Sequence, residues 1–353
     1  MASVFKLESL RTVPRARALA NPHIIYQVTR GRFAEIARIY SQFPNLDKLI
    51  LDDNNHGHAT QADIDTLPQT ITDLCVISRG MDNIDLLYNH LPNLETLEVR
   101  YAKNPISNSI ANLKNLKYLT VWWDPTDTPV FSAGLSACTK LEILEIHTMK
   151  QVDLSCVLMY LPNLLSLKIS ALCPTNKKHS PAVIFPDNMH EFPQLLERLE
   201  IHTKHNIIKL PAQVSILPNL KNVNILYCVL CNTQMLNNID CMPNLVNLRL
   251  TCIDSPESIV INTNILHNIE TLFIDRHNFW GFNKVRLLNP NFACNPQLRH
   301  IVLTGDCTQD FDNFPVSLSA CKNLQYIRFT KPETRIIIPD EITQLPNLIY
   351  RLV

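Results

Sequence analysis

One nine-residue frame, L-P-N-L-x-x-L-x-[LIV], recurs along the chain and constrains its fold more than any other feature. Strong copies begin at Phe43 (FPNLDKLIL), Leu91 (LPNLETLEV), Leu113 (LKNLKYLTV), Cys138 (CTKLEILEI), Leu161 (LPNLLSLKI), Leu217 (LPNLKNVNI), Met242 (MPNLVNLRL), Leu266 (LHNIETLFI) and Cys321 (CKNLQYIRF). Weaker ones begin at Leu67, Phe192 and Asn295, and LPNLIYRLV starts at Leu345. The copies number about thirteen and recur every ~22–26 residues, the length of one strand plus one crossover. The end of each frame alternates apolar and polar residues, as in Leu144-Glu145-Ile146-His147, which is the pattern of a half-buried strand. The segment before it reads as a short helix or 3-10 turn, as in LPAQVSILPNL (210–220) and IPDEITQLPNL (338–348). One such unit cannot bury its own apolar face, whereas stacked neighbours can.

The frame resembles the leucine-rich repeat family, over roughly residues 41 to 353. The resemblance implies an α/β solenoid: a curved horseshoe with parallel strands on the concave face and short helices or 3-10 turns on the convex face. The family pattern continues after the strand to an Asn or Cys that hydrogen-bonds backbone in the turn. Asn54 and Cys228 fit that position, but Ala102, Asp124, Met149, Leu172 and Lys204 occupy it elsewhere, so no continuous asparagine ladder is expected there.

Residues 1–40 lie outside the frame, and helical spacing of Phe33, Ile36 and Ile39 over 31–43 predicts a capping helix on the first repeat. The expected organisation is thus a capping segment over 1–40 and an array of about 12–13 units over 41–353. The last frame stops inside a strand, so self-association or cover by a partner is expected at that end.

Composition narrows the function. Lys+Arg and Asp+Glu are both 32, which argues against whole-body binding of nucleic acid or an acidic membrane, although residues 1–40 are locally basic. Gly numbers only 6, and no phosphate-cradling glycine motif is present. The 11 cysteines form no compact framework, and no Asn-x-Ser/Thr sequon occurs, which favours a reducing, cytoplasmic compartment. No apolar run approaches the ~18 residues of a membrane helix.

The octamer LExLEIHT occurs twice, at 141–148 and 196–203, and sets a Glu and a His two apart: Glu145/His147 and Glu200/His202. On the strand frame all four point away from the core. The expected columns are Glu145–Lys168–Glu200 and His147–Ser170–His202, with the two histidines roughly 10 Å apart, too far for easy co-ligation of one metal. Cys228 and Cys231 form a single CxxC with no second copy, and His56 and His58 lack a third ligand nearby. No catalytic motif appears, so no enzyme activity, cofactor or metal is expected. Function is therefore expected on the concave face, where Glu98, Arg100, Tyr118, Trp122, Glu145, His147, Lys168, Arg198, Glu200, His202, Arg249, Phe273 and Asp275 point outward to a protein partner. Two other readings fit such an array: a substrate-recognition adaptor in ubiquitin ligation, and a pathogen or viral effector engaging host proteins. The longer unit carrying Phe279, Trp280 and Phe282 is a further candidate contact.

Overall fold

The computed structural model describes residues 4–7, 25–29, 46–53, 61–78, 84–102, 106–173, 182–188, 192–230, 242–251, 259–262, 267–275, 285–288, 291–304, 315–330 and 338–350. The chain divides into two compact units, 1–164 and 165–353.

In the first unit the strands are β1 (Val4–Leu7), β2 (Ile25–Thr29), β3 (Lys48–Asp53), β4 (Asp73–Ser78), β5 (Thr96–Ala102), β6 (Tyr118–Trp123), β7 (Ile143–Thr148) and the short β8 (Val152–Asp153). Strands β1 to β7 pair in parallel in sequence order, from β1–β2 through β6–β7. The ladder therefore reaches upstream of the first frame copy, into a segment expected to be only a cap. Residues 31–43, where the capping helix was expected, lie outside the described residues.

In the second unit the strands are β9 (Ser166–Ala171), β10 (Val183–Ile184), β11 (Arg198–Ile208), β12 (Asn222–Leu230), β13 (Asn247–Thr251), β14 (Ile259–Asn262), β15 (Thr271–Asp275), β16 (Val285–Leu288), β17 (His300–Thr304), β18 (Tyr326–Thr330) and β19 (Ile349–Tyr350). Parallel pairing runs β9–β11–β12–β13–β15–β17–β18–β19, and β14 pairs separately with β16.

The frame explains the core. In the copy at Leu91, the side chains of Leu91, Leu94, Leu97 and Val99 are buried, while Glu98 and Arg100 between and beyond them are not. Parallel strands demand a crossover, and among the described residues seven of these are a turn of 3-10 or α-helix that drops an apolar residue inward: Ile110, Leu135, Leu158, Val214, Phe292, Leu318 and Ile342 are all buried. The two segments expected to be short helices are Ala212–Ile216 and Asp340–Thr343.

The frame's asparagine also has a physical reason. Asn163 donates to the Thr139 carbonyl (2.7 Å), Asn244 to Pro218 (2.6 Å), Asn268 to Pro243 (2.7 Å) and Asn323 to Pro296 (3.1 Å). Each acceptor is the second residue of the preceding frame, so the asparagine staples one unit to the one before it. Asn93 and Asn219 do the same to the carbonyls of Gln69 and Gln194, in copies where the frame is a residue longer.

After the strands the family's Asn or Cys is replaced by other solutions. Cys228 behaves as that position demands: it is buried, and its thiol donates to the Leu226 carbonyl (3.1 Å). After β7, Thr148 turns inward instead and its hydroxyl accepts the Lys150 N–H (2.9 Å). Thr203 does the same in β11, where its hydroxyl donates to the Tyr227 carbonyl (3.0 Å). The hydroxyl replaces the missing amide one residue earlier in the chain.

Candidate functional site

Strand pleating divides each unit into a core face and an outward face, and all thirteen candidate residues lie on outward positions. In the first unit they form a grid on β5, β6 and β7. Register aligns Thr96, Tyr118 and Ile143 in one row, Glu98, Thr120 and Glu145 in the next, and Arg100, Trp122 and His147 in the third.

Two large aromatics on this grid remain in solvent: Tyr118 is 40% exposed and Trp122 41%. Trp122 stacks flat on His147, with centroids 3.6 Å apart and an interplanar angle of 6°. The indole shields the imidazole, whose side chain keeps 12% exposure, and Nε2 of His147 lies 3.5 Å from a Glu145 carboxylate oxygen. On the other side of Trp122, Nε of Arg100 donates to Glu98 (2.7 Å), and that bond raises the arginine's pKa. The row thus presents an aromatic shelf bordered by charges held in fixed positions.

The second unit places the remaining candidates on β9 to β15. Lys168 faces Glu200 across β9–β11, and Arg198 faces Asn222 on β12, whose amide oxygen accepts from Asn247 (2.6 Å). His202 packs at 5.4 Å against the ring of Tyr227, and burial lowers its pKa against the raising effect of Glu200. Tyr227 takes a left-handed φ of 52°, as does Tyr101 at 61° on β5, and each marks a step in strand register. Arg249 lies over Phe273, its guanidinium carbon 4.3 Å from the ring centroid. The Asp275 carboxylate accepts the Thr304 hydroxyl.

The two octamers, which differ only at Ile143 and Arg198, therefore sit in different surroundings. His147 has a tryptophan stack and a carboxylate neighbour, whereas His202 has a tyrosine and a lowered pKa. Neither stack is visible in the strand sequence, because each partner lies about one repeat away and only lateral register brings it near. Of the CxxC pair, Cys228 is buried with its thiol on the Leu226 carbonyl, and burial pushes its pKa up to about 12, while Cys231 lies outside the described residues. His56, His58, Phe279, Trp280 and Phe282 also lie outside them. Among the described residues no three His, Cys, Asp or Glu side chains group as a metal site.

The family model described as a leucine-rich repeat region matches residues 59–325. This chain belongs to the leucine-rich repeat family. Solved leucine-rich repeat structures share the fold. An internalin from Listeria monocytogenes is 16% identical with a TM-score of 0.58, covering 88% of this chain and 81% of its own. A leucine-rich repeat protein of Leptospira interrogans is 18% identical with a TM-score of 0.52, covering 99% of this chain and 94% of its own. A plant peptide hormone receptor, solved in complex with RGF2, is 18% identical with a TM-score of 0.54 and covers 95% of this chain. The chain spans 56% of that receptor's length. No curated protein matches the sequence. Among the described residues no helix is long and apolar enough to cross a membrane.

Proposed function

We propose that this leucine-rich repeat protein is a non-enzymatic scaffold that recognises a protein partner on the outward face of its strands. The observation that carries the reading is the pair Tyr118 and Trp122, two large aromatics left about two-fifths exposed on one strand. A strand fills its outward positions with such residues at a cost in exposed apolar area, and Trp, Tyr and Arg are the types that dominate binding energy when covered. Arg100, Glu98, Glu145 and His147 border them with polar groups, giving an apolar centre with a polar rim. The plant receptor of the same fold is solved with RGF2 bound, which is consistent with recognition by such an array. A cytoplasmic location is part of the proposal, supported by cysteines held as buried thiols that donate to backbone carbonyls at Cys138, Cys228 and Cys321.

Affinity capture from native extract tests the reading with wild type, Trp122→Ala, and Trp122→Ala combined with Arg198→Glu. A partner held by wild type and lost from the variants supports it. A partner held equally by all three overturns it.

A further inference from the structure

On the outward face of the second unit, one row crosses four consecutive strands with a composition unlike the rest. Arg249 on β13, Phe273 on β15, Val302 on β17 and Arg328 on β18 are direct register partners in turn. The outer two are guanidinium groups and the inner two are apolar. Val302 is only 5% exposed although it points away from the core, so the row has a closed apolar floor.

Both arginines are prepared for an anion. Arg249 lies over the Phe273 ring at 4.3 Å, which fixes the guanidinium plane by stacking and uses none of its N–H donors. Nε of Arg328 is buried and has no hydrogen-bond partner among the described residues. A buried donor left without an acceptor is costly, and a turn of the side chain that brings the guanidinium onto an arriving carboxylate would remove that cost. The neighbouring row carries one carboxylate, Asp275, which accepts the Thr304 hydroxyl. On the other side stand Asn247, Thr271, His300 and Tyr326.

We propose that this row binds an acidic segment of a protein partner, laid across the strands with one carboxylate on Arg249, an apolar side chain over Phe273 and Val302, and a second carboxylate on Arg328. Neighbouring strands are about 4.8 Å apart, so three spacings separate the arginines by roughly 14 Å. An extended peptide advances about 3.4 Å per residue, and its residues i, i+2 and i+4 face one way. The segment is therefore acidic–x–apolar–x–acidic. Guanidinium groups bind carboxylates through two parallel hydrogen bonds, which fixes that spacing. A nucleic acid fits less well: its unbroken negative charge would meet Glu200 and Asp275 on the same face, and its backbone offers nothing to an apolar floor. The inference rests on the reading that the strand face receives a protein partner, but uses a surface separate from the Trp122 shelf.

Fluorescence anisotropy of labelled Gly-Glu-Ser-Leu-Ser-Glu-Gly with the full chain tests it. Saturable, salt-sensitive binding is expected, about tenfold weaker for Arg249→Gln or Arg328→Gln and weaker again for both. A peptide with both Glu replaced by Gln, and one with the two Glu adjacent, are expected to lose binding. Arg249 is exposed, so Arg249→Gln carries the test if Arg328→Gln fails to fold. Equal binding by a folded Arg249→Gln variant, indifference to the spacing of the two Glu, or tighter binding of oligo(U) RNA would each overturn the site. Peptide binding absent while partner capture still depends on Trp122 sinks this site alone. Arginine-dependent peptide binding alongside capture indifferent to Trp122 sinks the proposed function's aromatic surface and leaves this site standing.

Discussion

Trp122 lies flat on His147, ring on ring at 3.6 Å, and the two belong to adjacent repeats. The stack joins the proposed contact residue Trp122 to His147 of its polar border. It holds the indole in one orientation and so reduces the rotamer entropy a partner would otherwise have to remove. Trp122→Ala and His147→Ala should therefore be non-additive in stability, with a coupling of about 0.5–1.5 kcal/mol. Urea denaturation of the two single variants and the double variant gives that number. A coupling of zero would mean that the rings touch without stabilising each other.

The asparagine staples lead to a test of charge as well as of contact. Asn244 donates to the Pro218 carbonyl at 2.6 Å in an exposed position. Asn244→Ala should cost about 0.5–1.5 kcal/mol, the net value of one such bond. Asn244→Asp keeps the shape but offers only acceptors to a carbonyl, so at neutral pH it should cost more than alanine. The difference should shrink on acidification, as the carboxyl protonates and regains a donor. Equal midpoints for the two variants at pH 7 would contradict the staple.

These staples show where sequence reading succeeded and where it stopped. Leu97, Val99, Leu144 and Ile146 are core residues because strand period and repeat phase say so, and the phase is visible in the sequence. The repeated asparagine was visible too, but its acceptor is a carbonyl one repeat back, and only stacking geometry reveals it. The two octamers carried even less of their own difference: Glu145/His147 and Glu200/His202 diverge because β6 supplies a tryptophan beside one and β12 a left-handed tyrosine beside the other. Thr148 and Thr203 lie one residue before the position where the family places its amide, so the substitute was hidden by a shift of one.

Close packing of the crossovers constrains Gly134. Its N–H donates to the Asn108 side chain at 3.1 Å, and an added Cβ would lie 2.7 Å from Asn108 Cα, closer still to the carbonyl oxygen. The obstacle is backbone of the previous crossover and cannot rotate away. Gly134→Ala should destabilise the chain by about 1–3 kcal/mol despite alanine's better intrinsic propensity. Chemical denaturation measures it, and an unchanged or raised midpoint would show that the two crossovers can separate freely.

His202 sets a pH dependence. Burial lowers its pKa below the ordinary value of 6.5, outweighing the raising effect of Glu200. The unfolded chain then binds the proton more readily than the folded one. The associated stability is complete above the unfolded pKa and is lost as pH falls through the folded one. Wild type should lose stability below about pH 6.5 more steeply than His202→Gln. Thermal melting across that range checks the difference in slope. Parallel slopes would show that the ring is as well solvated folded as unfolded.

Four of the described thiols divide into two groups by the same logic. Burial pushes Cys138 and Cys321 up to about 11 and Cys228 up to about 12, and each thiol donates to a backbone carbonyl. Cys138 and Cys321 stand where the frame has its leading leucine, and both donate to the buried residue of the preceding crossover, Ile110 and Phe292. Only the thiolate is nucleophilic, so at pH 8 these three need local opening to react. Cys156 is exposed and needs none. Iodoacetamide should label Cys156 at once and Cys138, Cys228 and Cys321 only as denaturant opens the chain, with mass mapping of peptides as the readout. Because the three span both units, their order of labelling along a urea series also reports whether 1–164 and 165–353 unfold together. Prompt labelling of Cys228 in native buffer would contradict its place in the core.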